Sequence, residues 1–174
     1  MEFPYPDVSE DLKIAVDAAL EAGKKVLEIY NQDFTSSYKD DKEPLTEADL
    51  ASDKIIHDII SSSSHPILSE ESVDNLDRLD SKKIWIVDPL DGTSDFIQKT
   101  GEFTIMIGLV NEKKPIMGVI YWPPKNILYL SEENKGAYKL ENNTWSRLTV
   151  SNETKVIDSK VVGSRNHLSE QEKE

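Results

Sequence analysis

The stretch Ile84-Trp85-Ile86-Val87-Asp88-Pro89-Leu90-Asp91-Gly92-Thr93-Ser94-Asp95-Phe96 constrains this chain more than any other. Its apolar, β-branched opening, Ile84 to Val87, is short and reads as a buried strand. The strand delivers Asp88 into a turn, where Pro89 presets φ near about −65° and Gly92 closes the bend where a side chain would crowd. Across such a turn Asp88 and Asp91 can aim their carboxylates at one point. Gly92-Thr93-Ser94 then reads as a helix start, whose free N–H groups offer a seat for a phosphate. Carboxylates beside an anion seat repel a phosphate unless divalent cations lie between them. That is the logic of metal-assisted phosphate ester hydrolysis. On its own, D-P-x-D-G is also simply a good turn sequence, so its companions must decide.

Those companions follow the chain. Asp7 to about Asn31 is expected to be helical. Asp7 and Glu10 suggest a capping box, and Leu12, Val16, Ala19, Gly23, Val26 and Tyr30 form an apolar stripe. Lys24 and Lys25 belong to the solvated face. A polar connection from Thr35 to Pro44 carries the charged run Lys39-Asp40-Asp41-Lys42-Glu43. Thr46-Glu47-Ala48-Asp49 opens a second helix, with Leu50, Ile55, Ile56, Ile59 and Ile60 expected to face inward. Asp49 has two readings, a first-turn carboxylate favoured by the helix dipole or a residue presented to a site. His57 is read as a surface histidine without a role, and Ser61 to Ser64 as the end of the helix.

Pro66-Ile67-Leu68 suggests a short strand that carries Ser69-Glu70-Glu71-Ser72 at its end, and Asp74 to Lys83 a polar return. Beyond Phe96 the period becomes two. Thr104 to Val110 and Pro115 to Trp122 form a hairpin about a turn at Asn111 to Lys114, followed by strands at Ile127 to Leu130, Gly136 to Leu140 and Trp145 to Val150. Val161-Val162-Gly163 is one more strand, ahead of Ser164-Arg165-Asn166-His167, and Ser169 is a possible N-cap for a helix without a body. Helices first and a mainly antiparallel sheet after them make an α+β class. That open ending suggests a fragment of a longer protein.

Composition sets outer limits. A chain of 174 residues holds one domain with a real core rather than two. A net charge of −13 argues against a nucleic-acid polymer or an anionic membrane as partner, so an anionic substrate must be recruited through cations or local N–H groups. With no cysteine there is no disulfide, thiolate zinc site or thiol nucleophile. No stretch has the length of a membrane span, and the start lacks a signal peptide's pattern. A cytoplasmic location is expected.

With these residues placed, the chain resembles the inositol monophosphatase superfamily of Mg²⁺-dependent, lithium-sensitive phosphatases. The likeness rests on Leu45-Thr46-Glu47-Ala48-Asp49, Ser69-Glu70-Glu71-Ser72 and Asp88-Pro89-Leu90-Asp91-Gly92-Thr93, in that order and spacing. Within the superfamily it is most similar to the 3′(2′),5′-bisphosphate nucleotidases of the CysQ type, through Lys39-x-Asp41-x-x-Pro44-x-Thr46, Ser69-Glu70-Glu71, the run Phe96 to Thr104, and Ser164-Arg165-Asn166-His167. The resemblance implies the N-terminal half of a layered sugar-phosphatase fold, two helices on a mainly antiparallel sheet. Residues 1–174 would form a single metal-binding domain. The family's C-terminal α/β domain, with its Trp-Asp-x-Ala motif, is absent from the sequence.

It further implies that Glu70, Asp88, the Leu90 carbonyl and Asp91 hold Mg²⁺, two or three ions in a complete site, through the hard oxygen ligands that ion requires. Asp49 and Thr93 would orient and deprotonate the attacking water. Gly92 and Thr93 N–H groups would hold the phosphate, and Ser164 and His167 would contact the nucleotide, His167 being otherwise a plain surface histidine. Glu71 would support the water or only stand behind the ligands. The implied reaction is hydrolysis of the 3′-phosphate of adenosine 3′,5′-bisphosphate to AMP. Inositol monophosphatase or fructose-1,6-bisphosphatase activity is the alternative of the same chemistry, and a non-catalytic metal-binding half the alternative of another class. A homodimer is the expected assembly.

Overall fold

A computed structural model describes residues 2–39 and 44–160. Asp41, the expected strand Val161-Val162-Gly163, the expected nucleotide contacts Ser164 and His167, and the helix start at Ser169 lie outside the described residues.

Helix α1 runs Glu10–Tyr30. It starts later than Asp7, because Ser9, not Asp7, caps it: the Ser9 backbone is extended and its Oγ accepts from the Leu12 N–H at 3.2 Å. Leu12, Val16, Ala19, Gly23 and Val26 are buried as expected, with Ala15, Ala18 and Ala22 beside them. These small residues bring the helix close to the sheet; a Cβ on Gly23 would collide with the Tyr121 ring. The polar connection that follows is not a plain loop. Ser36–Tyr38 (β1) pairs antiparallel with Pro44–Thr46 (β2), with Ser36 opposite Thr46. Strands of three residues show no readable alternation, which is why the sequence conceals them.

Helix α2 spans Glu47–Ile60 and starts from a capping box between Thr46 and Asp49. Its buried face is Ala48, Asp49, Ser52, Asp53, Ile56 and Ile60, while Leu50 is exposed, against expectation. The inward stripe at 49, 52, 53, 56 and 60 is helical in spacing, but its first turn and a half is polar. A search for apolar residues alone therefore finds Ile56 and Ile60 but misplaces Leu50 and passes over the polar part of the face.

The main sheet has the order β3-β4-β5-β6-β7-β8-β9, namely Ile67–Ser69, Lys83–Asp91, Thr104–Asn111, Lys114–Trp122, Ile127–Glu132, Gly136–Glu141 and Thr144–Leu148. Only β3 and β4 are parallel; from β4 onward the sheet is an antiparallel meander. The helices cover one face. Leu12, Val16, Val26, Ile56 and Ile60 share a core with Trp85, Val87, Ile105, Ile107, Leu109, Val119 and Leu128. Ile86 and Ile120, on the alternate register, stay exposed. The molecule is thus α+β, two helices on a mainly antiparallel sheet. Among the described residues no helix is long and apolar enough to cross a membrane.

At one end of α1, the rings of Tyr30, Phe34, Phe96 and Phe103 touch with centroids 4.9–5.1 Å apart. This cluster fixes the short helix α3, Thr93–Ile97, against the body of the domain.

Candidate metal-binding active site

Strand β4 does not stop at Val87. It pairs with β5 through Asp88 opposite Met106 and again at Asp91 opposite Thr104, with a bulge between. The expected free turn after Asp88 is therefore a bulged strand end. Pro89 is tolerated there because a bulge asks for no ladder N–H at that position. The Asp88 carboxylate accepts from the Leu90 N–H at 3.2 Å. Gly92 follows with φ +92°, and the Glu102 carbonyl would stand 2.8 Å from any Cβ there, so the position tolerates only glycine. The bulge turns the chain at once into α3, with Thr93 as its first residue.

The two oxygens of Asp49 face different ways. Oδ2 accepts from the Thr46 N–H at 2.8 Å and from Thr46 Oγ1 at 2.5 Å, completing the helix cap. Oδ1 accepts from Thr93 Oγ1 at 2.9 Å. The same threonine hydroxyl lies 3.2 Å from the Leu90 carbonyl. Burial raises the Asp49 pKa, opposed by the hydrogen bonds from Thr46 and Thr93. The arrangement is a buried carboxylate with a hydroxyl fixed to it.

The acidic residues adjoin this pair through Glu71, whose carboxylate feels the Asp49 charge. Burial first, then the charges of Glu70 and Asp91, push the Asp88 carboxyl up to about 7. Glu71 is also raised, chiefly by burial, with Lys39 opposing and with Asp49 and Glu70 adding repulsion. Asp91 accepts from Thr104 Oγ1 at 3.4 Å. Lys39, at the end of β1, donates to Glu70 at 3.0 Å and to Glu71 at 2.7 Å, and its own pKa is raised.

Three residues escaped the sequence reading. The buried Ser52 hydroxyl donates to the Pro89 carbonyl at 2.7 Å. Buried Asp53 accepts from Ser69 Oγ and, at 2.6 Å, from Ser72 Oγ. His57 is not the roleless surface residue expected, since its Nε2 lies 3.4 Å from Ser72 Oγ and 3.6 Å from Asp53. The spacing of Asp49, Ser52 and Asp53 on one helical face was the signal available for finding the first two.

The donor chemistry suits a hard divalent cation: the carboxylates of Glu70, Asp88 and Asp91 and the carbonyl of Leu90 are all oxygen. Among the described residues no three acidic or imidazole side chains are gathered into a ready-made cage. The charges of Glu70 and Asp91 add to burial in raising the Asp88 pKa, and an added cation would relieve that repulsion.

Known proteins resemble this chain over most of its length. The inositol monophosphatase family model matches residues 7–174. The 3′(2′),5′-bisphosphate nucleotidase CysQ of Escherichia coli K12 is 36% identical over 163 residues, 90% of this chain and 64% of the relative. The chain therefore spans just under two thirds of that protein's length. The crystal structure of CysQ from Bacteroides thetaiotaomicron superimposes with a TM-score of 0.76 at 37% identity, covering 96% of this chain and 67% of that one. A structure of SaIMPase-II bound to 2′AMP superimposes with a TM-score of 0.60 at 28% identity, covering 74% of this chain and 46% of that one.

Proposed function

The chain belongs to the inositol monophosphatase family, and on that premise we propose that it carries the metal-binding part of a phosphomonoesterase. The proposed reaction removes the 3′-phosphate of adenosine 3′,5′-bisphosphate to give AMP and phosphate. The observation that carries the reading is the hydrogen-bonded pair Asp49 and Thr93, whose hydroxyl lies 3.2 Å from the carbonyl of Leu90, the residue before Asp91. The nucleotide preference is supported by the CysQ relatives. The net charge of −13 fits a small anion brought in by cations rather than by basic side chains. A cytoplasmic location follows from the same reading.

Glu70, Asp88, Asp91 and the Leu90 carbonyl would hold Mg²⁺. When bound, the ion supplies charge neutralisation at the phosphate and a water of lowered pKa. Thr93 donates its proton to Asp49, so its oxygen lone pairs are turned outward to accept from a water. As that water attacks phosphorus, the bond to the ribose 3′ oxygen would break and that oxygen would take a proton from solvent, while the water's proton would pass to Thr93 Oγ1 and the threonine proton to Asp49 Oδ1. The raised pKa of Asp49 makes it a better acceptor for that proton. The N–H groups of Gly92 and Thr93 are assigned to the phosphate oxygens. Because α3 has only five residues, they act as individual donors rather than through a helix dipole.

The span of just under two thirds of the E. coli relative favours a second reading, in which these residues bind metal but need further residues for turnover. Phosphate release from adenosine 3′,5′-bisphosphate, inositol 1-phosphate and fructose 1,6-bisphosphate, with Mg²⁺ and with or without Li⁺, separates these readings. Nucleotide-selective, lithium-inhibited release is the expected result. Mg²⁺ binding without release on any substrate selects the second reading. Absence of Mg²⁺ binding overturns both.

A further inference from the structure

The segment Ser69-Glu70-Glu71-Ser72 leaves the sheet at the end of β3, and little of its own backbone secures it; the Glu70 N–H donates to the Val87 carbonyl at 3.2 Å. Side chains hold the rest. The serines on either side of the two glutamates both donate to a single carboxylate, that of Asp53. Ser69 Oγ bonds to Oδ1, and Ser72 Oγ bonds to Oδ2 at 2.6 Å. Asp53 is only 9% exposed. It follows Ser52, which holds the Pro89 carbonyl of the bulge, and stands one helical turn beyond Asp49, which holds Thr93. One face of α2 thus fastens two chain segments that are far apart in sequence, Ser69 to Ser72 and Pro89 to Thr93.

Resting on the reading above, we infer that Asp53 is a positioning residue for the cation site. Its carboxylate clamps both ends of the Glu70-Glu71 segment and sets where Glu70 stands relative to Asp88. A buried carboxylate is a costly way merely to join two pieces of chain, since an apolar contact of the same volume would be as stable or more so. What the carboxylate supplies instead is two directional acceptors, one for each end of the segment. Its negative charge behind the ligands also adds to the potential that draws a cation. Groups that orient metal ligands from behind in this way commonly govern metal affinity.

The test is titration with Mn²⁺, read from the electron paramagnetic resonance signal of the free ion, alongside thermal unfolding in EDTA. Asp53→Ala is expected to weaken Mn²⁺ binding about 10- to 100-fold, and Ser72→Ala to weaken it less. Asp53→Asn should restore most of the affinity, because its oxygen accepts one serine hydroxyl and its amide donates to the other. Asp53→Ala that binds Mn²⁺ like the unaltered protein while melting earlier overturns the inference and leaves Asp53 a structural residue. If Asp53→Ala does not fold, Ser72→Ala decides, and unchanged affinity there overturns it. Failure of the unaltered protein to bind Mn²⁺ overturns the phosphatase reading itself, and the inference with it.

Discussion

Replacing Asp88 by Asn should stabilise the metal-free protein and abolish the stabilisation that Mg²⁺ brings, so the two proteins should exchange rank when the ion is added. The native carboxyl is pushed from 3.8 to about 7. An acid whose pKa is raised on folding is protonated in the folded state while the unfolded chain has already lost its proton. Stability therefore falls as pH rises from about 4 to about 7, and the whole penalty is felt above about 7. At ~1.4 kcal/mol per pH unit, the interval from 3.8 to about 7 gives a ceiling of ~4 kcal/mol. Asp88 is only part-buried and shares the repulsion with Glu70 and Asp91, so solvent screening reduces this to about 1–2 kcal/mol. Asn keeps the acceptor for the Leu90 N–H, and its amide can donate to Glu70 in place of the carboxyl that now meets it.

The assay is thermal unfolding in EDTA and in Mg²⁺, at an alkaline pH of about 8 where the penalty is complete. In EDTA the Asn protein is expected to melt about 3–6 °C higher. Mg²⁺ at about a hundred times its dissociation constant should raise the unaltered protein by ~2.7 kcal/mol, and the Asn protein far less. An Asn protein less stable in EDTA would refute the argument that burial and repulsion strain Asp88. Equal Mg²⁺ stabilisation of both would refute its assignment as a ligand.

Thr93→Val removes the hydroxyl that links Asp49 to the site; turnover should fall about 10²- to 10⁴-fold, with a stability loss of about 1–2 kcal/mol by denaturant titration. Gly92→Ala meets both a positive φ and the Glu102 carbonyl, so it should cost about 2 kcal/mol or more, and a smaller loss would show that the bulge adapts. Lys39→Met frees Glu70 and Glu71 of their ammonium. Calorimetry should show tighter Mg²⁺ binding by several-fold, while metal-free stability drops by about 1 kcal/mol. Weaker binding would mean that Lys39 organises the ligands rather than competing for them.

What the sequence made legible was periodicity with enough length behind it. The 21 residues of α1 and the alternating strands from Thr104 onward stood out because each repeats its pattern several times. The β1–β2 ribbon did not, since two strands of three residues carry no pattern. At the N-terminus of α1, Asp7 and Ser9 both had suitable chemistry, and only the backbone path selects Ser9. The candidate site was legible where residues are close in sequence, as from Asp88 to Thr93. It was illegible where contacts join distant segments, such as Asp53 with Ser69 and Ser72, or Lys39 with Glu70. Leu50 shows a further limit, because a helix that turns a polar face inward for a site defeats any reading that assumes the inward face is oily.

Asp49 caps α2 with one oxygen and holds the Thr93 hydroxyl with the other, and this has a physical consequence. A helix N-cap is among the more rigid local arrangements a chain can form, because it satisfies backbone N–H groups that are otherwise orphaned. By using one oxygen for the cap, Asp49 fixes the other with little remaining rotational freedom, at the cost of no additional scaffold. The same helix repeats the device at Ser52 and Asp53, whose buried side chains hold the bulge and the glutamate segment. Thr46 is consequently the point at which fold and site cannot be separated. Removing its hydroxyl weakens the cap by about 1 kcal/mol and at the same time frees the carboxylate on which Thr93 depends.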